Sequence, residues 1–169
     1  MAAWIRFSLA ALLLFGLAAC EQQGKGDKKG DTGSAEQEIS SVPSDPADKK
    51  AWGKYMSSVM KENMSRIRGR PTAYFLVSSQ DPEFEGKLEG MREQVGGFLA
   101  RGVVPRSLIA FASPESTALA DLMVEEFEAT QAGTLRDVRI LFIGAAEDEE
   151  RVRAAVEPTG AEFVFHEAK

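Results

Sequence analysis

The sequence has one cysteine, Cys20, and one histidine, His166, in 169 residues. A single cysteine cannot form an intrachain disulfide, and a single histidine confines histidine-dependent acid–base chemistry to one position. A concentrated basic segment is also missing, because residues 51–169 contain 14 Lys and Arg against 19 Asp and Glu without a basic block. Nucleic acids and anionic lipid headgroups bind concentrated positive charge, so neither is expected as a partner of this domain.

The first 20 residues have the layout of an export signal. One positive charge at Arg6 precedes an apolar run over residues 7–15, and small residues follow in Leu17-Ala18-Ala19-Cys20. The run is shorter than the roughly 20 residues that cross a bilayer, which favours a signal over a membrane span. The ending resembles the lipobox of bacterial lipoproteins, in which the cysteine thiol is lipidated and the chain is then cleaved just before it. The alternatives are an ordinary cleaved signal and a buried apolar helix.

This resemblance covers residues 1–20 only, and it implies where the protein is held. Residues 1–19 would be a cleaved signal peptide, and lipid on Cys20 would anchor the protein to a membrane. The only thiol would then be occupied, which excludes thiol catalysis and thiolate metal sites. In lipoproteins of two-membrane envelopes an aspartate after the cysteine typically retains the protein in the inner membrane. Glu21 stands there instead, so the resemblance favours the periplasmic side of the outer membrane over the inner one.

A flexible linker and a single domain follow the signal. Residues 20–45 are rich in Gly, Lys, Asp, Gln, Ser and Thr, with Ile39 and Val42 as the only large apolar residues after Cys20. Such a segment buries too little apolar surface to offset the entropy of ordering, so we expect a linker. Residues 46–169 are of a length typical of one domain with one core.

Apolar periodicity predicts an α/β fold, with an N-terminal helix followed by βαβαβαβ and a small four-stranded parallel sheet. We predict helices from Asp45-Pro46 to Ile67, from Asp81-Pro82 onward, from Ser113-Pro114 to about Gly133, and over 147–157. The predicted strands are 72–77, 107–112, 138–144 and 162–166. A flavodoxin-like or Rossmannoid strand order, such as 2-1-3-4, is one arrangement that fits this alternation.

Loops at the carboxyl ends of parallel strands are the usual ligand sites, and they give one candidate crevice. Its candidate residues are Ser78, Asp81, Ser113, Glu115 and Glu147. The loops that follow the first three predicted strands are residues 78–81, 113–116 and 144–148. None of them has GxGxxG or GxxxxGK[ST], and acidic residues from Glu147 onward already occupy the positive end of a helix. We therefore predict no cofactor. We predict no metal site and no catalytic residue either, because acids in a first helical turn are explained by the helix dipole, and His166 is expected to be a solvated edge residue.

Glycines give a second candidate. On a helical wheel Gly86, Gly90 and Gly97 lie close together, opposite the apolar face of the second helix. Glycine within a helix costs roughly 1 kcal/mol relative to alanine. Three glycines on one exposed face therefore indicate a surface that another backbone approaches closely. The approaching element could belong to a partner or be the first helix of this chain, and the glycines could also be tolerated without a role.

Two functions remain at this point. The first is a lipid-anchored, non-catalytic protein-interaction module of the bacterial envelope, with a protein partner or self-association. The second is a small-ligand-binding or hydrolytic domain that uses the loop crevice.

Overall fold

The computed structural model describes residues 41–169, in which four helices alternate with four strands. The helices are α1 (Lys49–Glu62), α2 (Phe84–Ala100), α3 (Ser116–Glu128) and α4 (Ala146–Val156), the last extended by a short 3-10 turn, Glu157–Thr159. The strands are β1 (Thr72–Phe75), β2 (Leu108–Ala112), β3 (Arg139–Gly144) and β4 (Glu162–Glu167). The predicted α/β fold is confirmed. The signal, Cys20 and most of the linker lie outside the described residues.

The four strands form one parallel sheet in the order β1-β2-β3-β4. Each strand therefore pairs with the strand that precedes or follows it along the chain. For example, Ile109 of β2 lies between Thr72 of β1 and Ile140 of β3. The strand order 2-1-3-4 is wrong for this chain. The observed order has no point at which the winding reverses, so it lacks the crevice that such a reversal creates.

Alternate strand residues face two separate apolar clusters. One cluster joins the sheet to α2, α3 and α4 through Met91, Val95 and Leu99, Leu119, Leu122 and Met123, and Val152, Ala155 and Val156. Its strand members include Ile109, Phe111, Ile140 and Phe142. Three right-handed crossovers in one direction place their helices on the same side of a sheet, which explains why these three helices share a face.

The opposite face of the sheet is covered by α1. Its buried side chains are Trp52, Tyr55, Met56, Val59 and Met60, and they pack on Leu108, Ala110, Ala112, Leu141 and Ile143. The spacing of three and four residues is that of a single apolar stripe on a helix. The methionines at positions 56 and 60 are therefore core residues of this layer.

The predicted start of the first helix is three residues early. Asp48 is the N-cap, since its carboxylate accepts from the backbone N–H groups of Lys50 and Ala51 at 3.0 and 2.9 Å. Asp45 accepts instead from the N–H of Ala47 at 2.8 Å, which makes a local turn before the helix. The helix also ends at Glu62 and does not reach Ile67.

The packed chain begins earlier than the predicted domain boundary. Val42 is half-buried against the α1 cluster, although the sequence assigns it to the linker. Val42, Pro43, Ser44 and Pro46 line a cavity of about 290 Å³ beside Trp52. Within residues 41–169 the buried indole N–H of Trp52 has no hydrogen-bond partner. The segment over residues 42–46 thus belongs to the domain surface.

His166 is less exposed than expected for a solvated edge residue. It lies in β4 on the same face as α1, and its ring is edge-on to the ring of Tyr55, with centroids 5.9 Å apart. Burial lowers the pKa of His166, and the charge of Glu62 acts in the opposite direction. Burial also raises the pKa of Tyr55 to about 12. Both rings are therefore packed in their neutral forms.

The lowered pKa of His166 predicts a pH-dependent stability. The unfolded chain binds the proton more tightly than the folded one, so the free energy of unfolding should fall as pH drops below about 6.5. His166 is the only histidine, and no other side-chain type has an ordinary pKa in this range. Urea melts between pH 7.5 and 5.5 should show this decline, and His166→Gln should flatten it. An equal decline in both proteins would contradict the assignment.

Candidate functional site

The loops at the carboxyl ends of β1 and β2 are joined through Glu115. Its Oε1 accepts from the backbone N–H of Ser79 at 2.8 Å, from Ser79 Oγ at 2.8 Å and from Ser78 Oγ at 3.2 Å. These donors, led by the Ser79 N–H, lower the pKa of Glu115. Ser113, which is 2% exposed, accepts from the backbone N–H of Glu115 at 2.8 Å. Ser78, Ser113 and Glu115 thus form one internally bonded group.

The loop after β3 is bonded to α3 in a similar way. The hydroxyl of Ser116 donates to Asp148 at 2.6 Å and accepts from the backbone N–H of Ala145 at 2.7 Å. Asp148 is buried and also forms an ion pair with Arg151 at 2.7 Å. Ser116 and Asp148 were not predicted as a pair. Their contact depends on α3 and α4 packing side by side, which the sequence spacing does not reveal.

The carboxylate of Asp81 does not join the hydrogen bonds around Glu115 and forms ion pairs of its own. It accepts from Lys49 of α1 at 2.7 Å and from Lys87 of α2 at 2.9 Å. The hydrogen bond from Lys49, followed by that from Lys87, holds the pKa of Asp81 far below its usual range. Asp81 also accepts from the N–H of Glu83 at 3.0 Å, which shapes the turn before α2. This carboxylate connects the helices on the two faces of the sheet.

A cavity of about 540 Å³ lies among these loops, lined by Ser79, Glu115, Ser116, Asp121 and Glu147. The structure therefore brings Glu115 and Glu147 to one cavity. A hydrolytic constellation is not formed there, because the serines donate to carboxylates or cap loops and His166 packs on Tyr55. Within residues 41–169, no three His, Cys, Asp or Glu side chains are grouped so that they could hold a metal ion.

Two of the three predicted face glycines border open space. No atom lies within 4 Å of the position that a Cβ would occupy at Gly86 or Gly90. At Gly97 that position is 3.3 Å from Nη1 of Arg101, so Gly97 does not border the same open space. The idea that α1 of the same chain packs against these glycines is wrong, because α1 covers the other face of the sheet. Gly86 and Gly90 are open in the described domain.

These two glycines line a groove along the edge of the sheet. The groove measures about 460 Å³. Its lining residues are Ala73, Tyr74 and Phe75 of β1, Val77 just after this strand, and Gly86, Lys87, Gly90, Met91 and Gln94 of α2. We name it the β1 groove. In the described part of the chain β1 is the terminal strand and pairs only with β2. The groove therefore follows a free strand edge.

The backbone of β1 offers hydrogen-bonding groups to this groove. Leu76 donates its N–H to Ala112 of the neighbouring chain segment at 3.1 Å, so it faces β2. Successive residues of a strand direct their backbone groups to opposite sides, which turns those of Ala73, Phe75 and Val77 outward. A row of outward N–H and C=O groups is a template for another strand.

Another cavity, which was not predicted from the sequence, lies at the amino-terminal ends of the strands. It measures about 360 Å³ and is lined by Ser65, Arg66, Ile67, Arg68, Arg106, Asp137, Arg139 and Glu162. We name it the arginine cavity. The domain has no basic block along the sequence, but the fold brings four arginines together around this cavity. The alternation Arg66-Ile67-Arg68-Gly69-Arg70 was the one available signal.

Comparison with protein-family models, curated proteins and solved structures finds no match to this chain. Of the helices in residues 41–169, none combines the length and apolar character needed to span a bilayer.

The bonding of Glu115 predicts a difference between two carboxylates that line the same cavity. Glu115→Gln should lower the free energy of unfolding by about 1 kcal/mol, because charge-assisted bonds from Ser78 and Ser79 are weakened. Glu147→Gln is the matched control and should lower it by no more than about 0.5 kcal/mol, since Glu147 lies in the first turn of α4 and loses only its interaction with the helix dipole. Urea melts at pH 7 measure both. Equal effects would show that the network around Glu115 contributes nothing specific.

Proposed function

We propose that this protein is a lipid-anchored, non-catalytic interaction module of the bacterial envelope, which binds an extended segment of a partner protein in the β1 groove. The observation that carries the proposal is the free edge of β1 beside Gly86 and Gly90. The lipobox-like ending at Cys20 supports the anchor, on the periplasmic side and preferably at the outer membrane.

The chemistry of the groove fits an extended peptide. Only a peptide backbone presents N–H and C=O groups at the spacing of the outward groups of β1, and addition of a strand to a sheet edge is an established recognition mode. The groove residues contributed by β1 are apolar, and Tyr74 and Phe75 are half-buried. A partner strand would therefore gain main-chain hydrogen bonds together with apolar contacts.

The spacing of the glycines fits alternate side chains of such a strand. Gly86 and Gly90 are four residues apart in α2, which corresponds to about 6 Å along a helix. Side chains on one face of a strand repeat at about 6.7 Å. In a βα unit the helix runs roughly antiparallel to its strand, so two alternate side chains of an added strand would meet the two open positions. Larger residues at 86 and 90 would fill this space.

The loop cavity at the carboxyl ends of the strands favours this proposal over the ligand-binding alternative. Its serines and carboxylates are already bonded to one another, so a ligand would compete with hydrogen bonds that stabilise the fold. The backbone groups on the outer side of β1 have no such competitors from another strand of the described sheet.

Alanine at the two glycines should separate folding from binding. Gly86→Ala/Gly90→Ala should raise the free energy of unfolding by up to about 1 kcal/mol per site, with a smaller gain at Gly86 in the first turn of α2, because alanine is the better helix former. The same change should weaken partner binding, since the added methyl groups occupy the groove. Gly53→Ala is the control: Gly53 lies in α1, is exposed and has no atom within 4 Å of its Cβ position.

Binding is measured by a photocrosslinking residue in place of Gln94, which lines the groove. In intact cells it should capture a partner, and the adduct should decline in the Gly86→Ala/Gly90→Ala background and persist with Gly53→Ala. With the captured partner purified, hydrogen exchange at the amides of Ala73 and Phe75 should slow on binding. An adduct with a second copy of this chain would indicate self-association through the same edge. Normal binding by the double alanine variant would overturn the docking role.

The anchor is tested independently at Cys20. Cys20→Ser should abolish metabolic labelling with a fatty acid and leave an uncleaved or mislocalised precursor, because the thiol is the lipid attachment point of the lipobox. The wild-type chain is the positive control for labelling, and fractionation of the membranes shows its location. Labelling that persists in Cys20→Ser would refute the anchor without affecting the groove.

A further inference from the structure

The arginine cavity is formed where three chain connections meet at the amino-terminal ends of the strands. Arg66 and Arg68 belong to the connection from α1 to β1, Arg106 to that from α2 to β2, and Asp137 to that from α3 to β3. Arg139 and Glu162 are the first residues of β3 and β4. None of these residues takes part in the β1 groove, so an inference about the cavity does not depend on the proposed function.

The three connections are held together by backbone hydrogen bonds. The N–H of Arg68 donates to the carbonyl of Arg106 at 3.0 Å, and the N–H of Arg106 donates to the carbonyl of Asp137 at 2.6 Å. Arg139 adds a bond from its N–H to the carbonyl of Ser107 at 2.9 Å. The backbone that carries the arginines is therefore fixed before any ligand binds.

The same backbone is strained at three positions around the cavity. Arg66, Arg106 and Asp137 have φ values of 69°, 63° and 62°, and these are the three residues other than glycine with positive φ among residues 41–169. Such a conformation is unfavourable for residues with a Cβ, and it persists where the surrounding structure enforces it. All three line one cavity. Strain concentrated in this way marks a place where side-chain direction is constrained.

The charges around the cavity are only partly compensated. Arg139 is nine-tenths buried and forms a forked pair with Glu162, with Nη2 at 2.9 Å from both carboxylate oxygens. Its Nη1 donates to the carbonyl of Asn63 at 2.6 Å, at the end of α1. This pair is satisfied. The guanidinium groups of Arg66, Arg68 and Arg106 form no ion pair with any carboxylate of residues 41–169, which leaves a formal excess of two positive charges when Asp137 is included.

Arg70, Arg101 and Arg136 also form no ion pair within residues 41–169, but they do not line the cavity. Arg92, Arg151 and Arg153 each pair with a carboxylate. In a chain whose net charge is −6, three uncompensated guanidinium groups at one fixed cavity are a local reversal of sign. Long-range attraction of an anion to such a place is favourable even though the whole molecule is acidic.

We infer that the arginine cavity binds a phosphate monoester group. A guanidinium group offers paired N–H donors that match the oxygens of a tetrahedral oxyanion, and three such groups exceed what the two oxygens of a carboxylate can accept. A phosphate monoester carries about −1.5 to −2 charge at neutral pH, which matches the excess of two positive charges. The volume of about 360 Å³ leaves room for the group that bears the phosphate.

The phosphate can come from a soluble ester or from a lipid headgroup, and one experiment distinguishes them. The full chain in neutral detergent micelles is titrated with glycerol phosphate by calorimetry, with glycerol and acetate as controls. Saturable binding of glycerol phosphate alone is expected. Short-chain phosphatidic acid is then added to the micelles. Displacement of glycerol phosphate identifies a headgroup as a competent source, and unchanged binding restricts the site to soluble esters.

Matched variants test the residues. Arg66→Gln/Arg106→Gln should weaken binding at least about tenfold, as expected for the loss of charge-assisted hydrogen bonds. Arg70→Gln/Arg136→Gln is the control, because it removes the same charge from connections that also form the cavity, although neither residue lines it. It should bind within about threefold of the wild type, an effect attributable to net charge alone. Melting curves of both double variants report whether the fold is kept.

When the double variants fold, two outcomes would overturn the inference. One is the absence of saturable binding of glycerol phosphate and of phosphatidic acid by the wild-type chain. The other is equal weakening in the two double variants, which would show a response to net charge without a site. If Arg66→Gln/Arg106→Gln does not fold, Arg106→Lys decides: it keeps the charge, loses the fork, and should bind more weakly than the wild type at an unchanged melting temperature. Unchanged affinity in Arg106→Lys would likewise refute the site.

Discussion

Crossovers that all run in one direction across the sheet are the constraint on which the rest of this structure depends. They order the sheet as β1-β2-β3-β4 and place α2, α3 and α4 on one face. The other face then has a single helix, α1, whose position is not set by a crossover because it precedes β1. Packing of Trp52, Tyr55 and Val59 on β2 and β3 holds it there, with the Lys49–Asp81 ion pair at one end and the bonds from Arg139 to the end of α1 at the other.

The same winding explains why the usual ligand position in a parallel sheet is already occupied by internal contacts. Without a reversal of strand order, the loops after β1, β2 and β3 follow one another in a row, and each helix N-terminus lies beside the next loop. Glu115 accepts from the loop after β1, and Ser116 donates to Asp148 near the loop after β3. At the amino ends of the strands, backbone groups bond to each other, and the side chains of Arg66, Arg68 and Arg106 are left without carboxylate partners. Polar groups are thus satisfied at one end of the sheet and charge is uncompensated at the other.

The sequence predicts the alternation of helices and strands well, because periodicity depends on neighbours that are close along the chain. The sequence predicts the first and last residues of these elements less well. Asp45 and Asp48 are both good N-caps for α1, and only the packing of Trp52 and Tyr55 decides between them. The open positions at Gly86 and Gly90 follow from helix geometry, whereas Gly97 does not join them because it lies about 10 Å further along the axis. The arginine cavity could not be read from the sequence, since Arg66, Arg106 and Arg139 meet only through the register that places Leu108 beside Arg139.

Unfavourable local terms in this domain are concentrated outside its two apolar clusters. Positive φ at Arg66, Arg106 and Asp137 costs on the order of 1 to 3 kcal/mol each, and each glycine within α2 costs roughly 1 kcal/mol relative to alanine. The buried strand residues, by contrast, have helix-covered faces and almost no exposure; Ile109, Phe111, Ile140 and Phe142 are each 0% exposed. A sequence under selection for stability alone would place glycine or asparagine at the strained positions and alanine at the open ones. The strained positions and the open positions at Gly86 and Gly90 lie at surfaces where the geometry leaves room for another molecule, which is where local rules are expected to yield to binding, whereas Gly53 is open without such a surface.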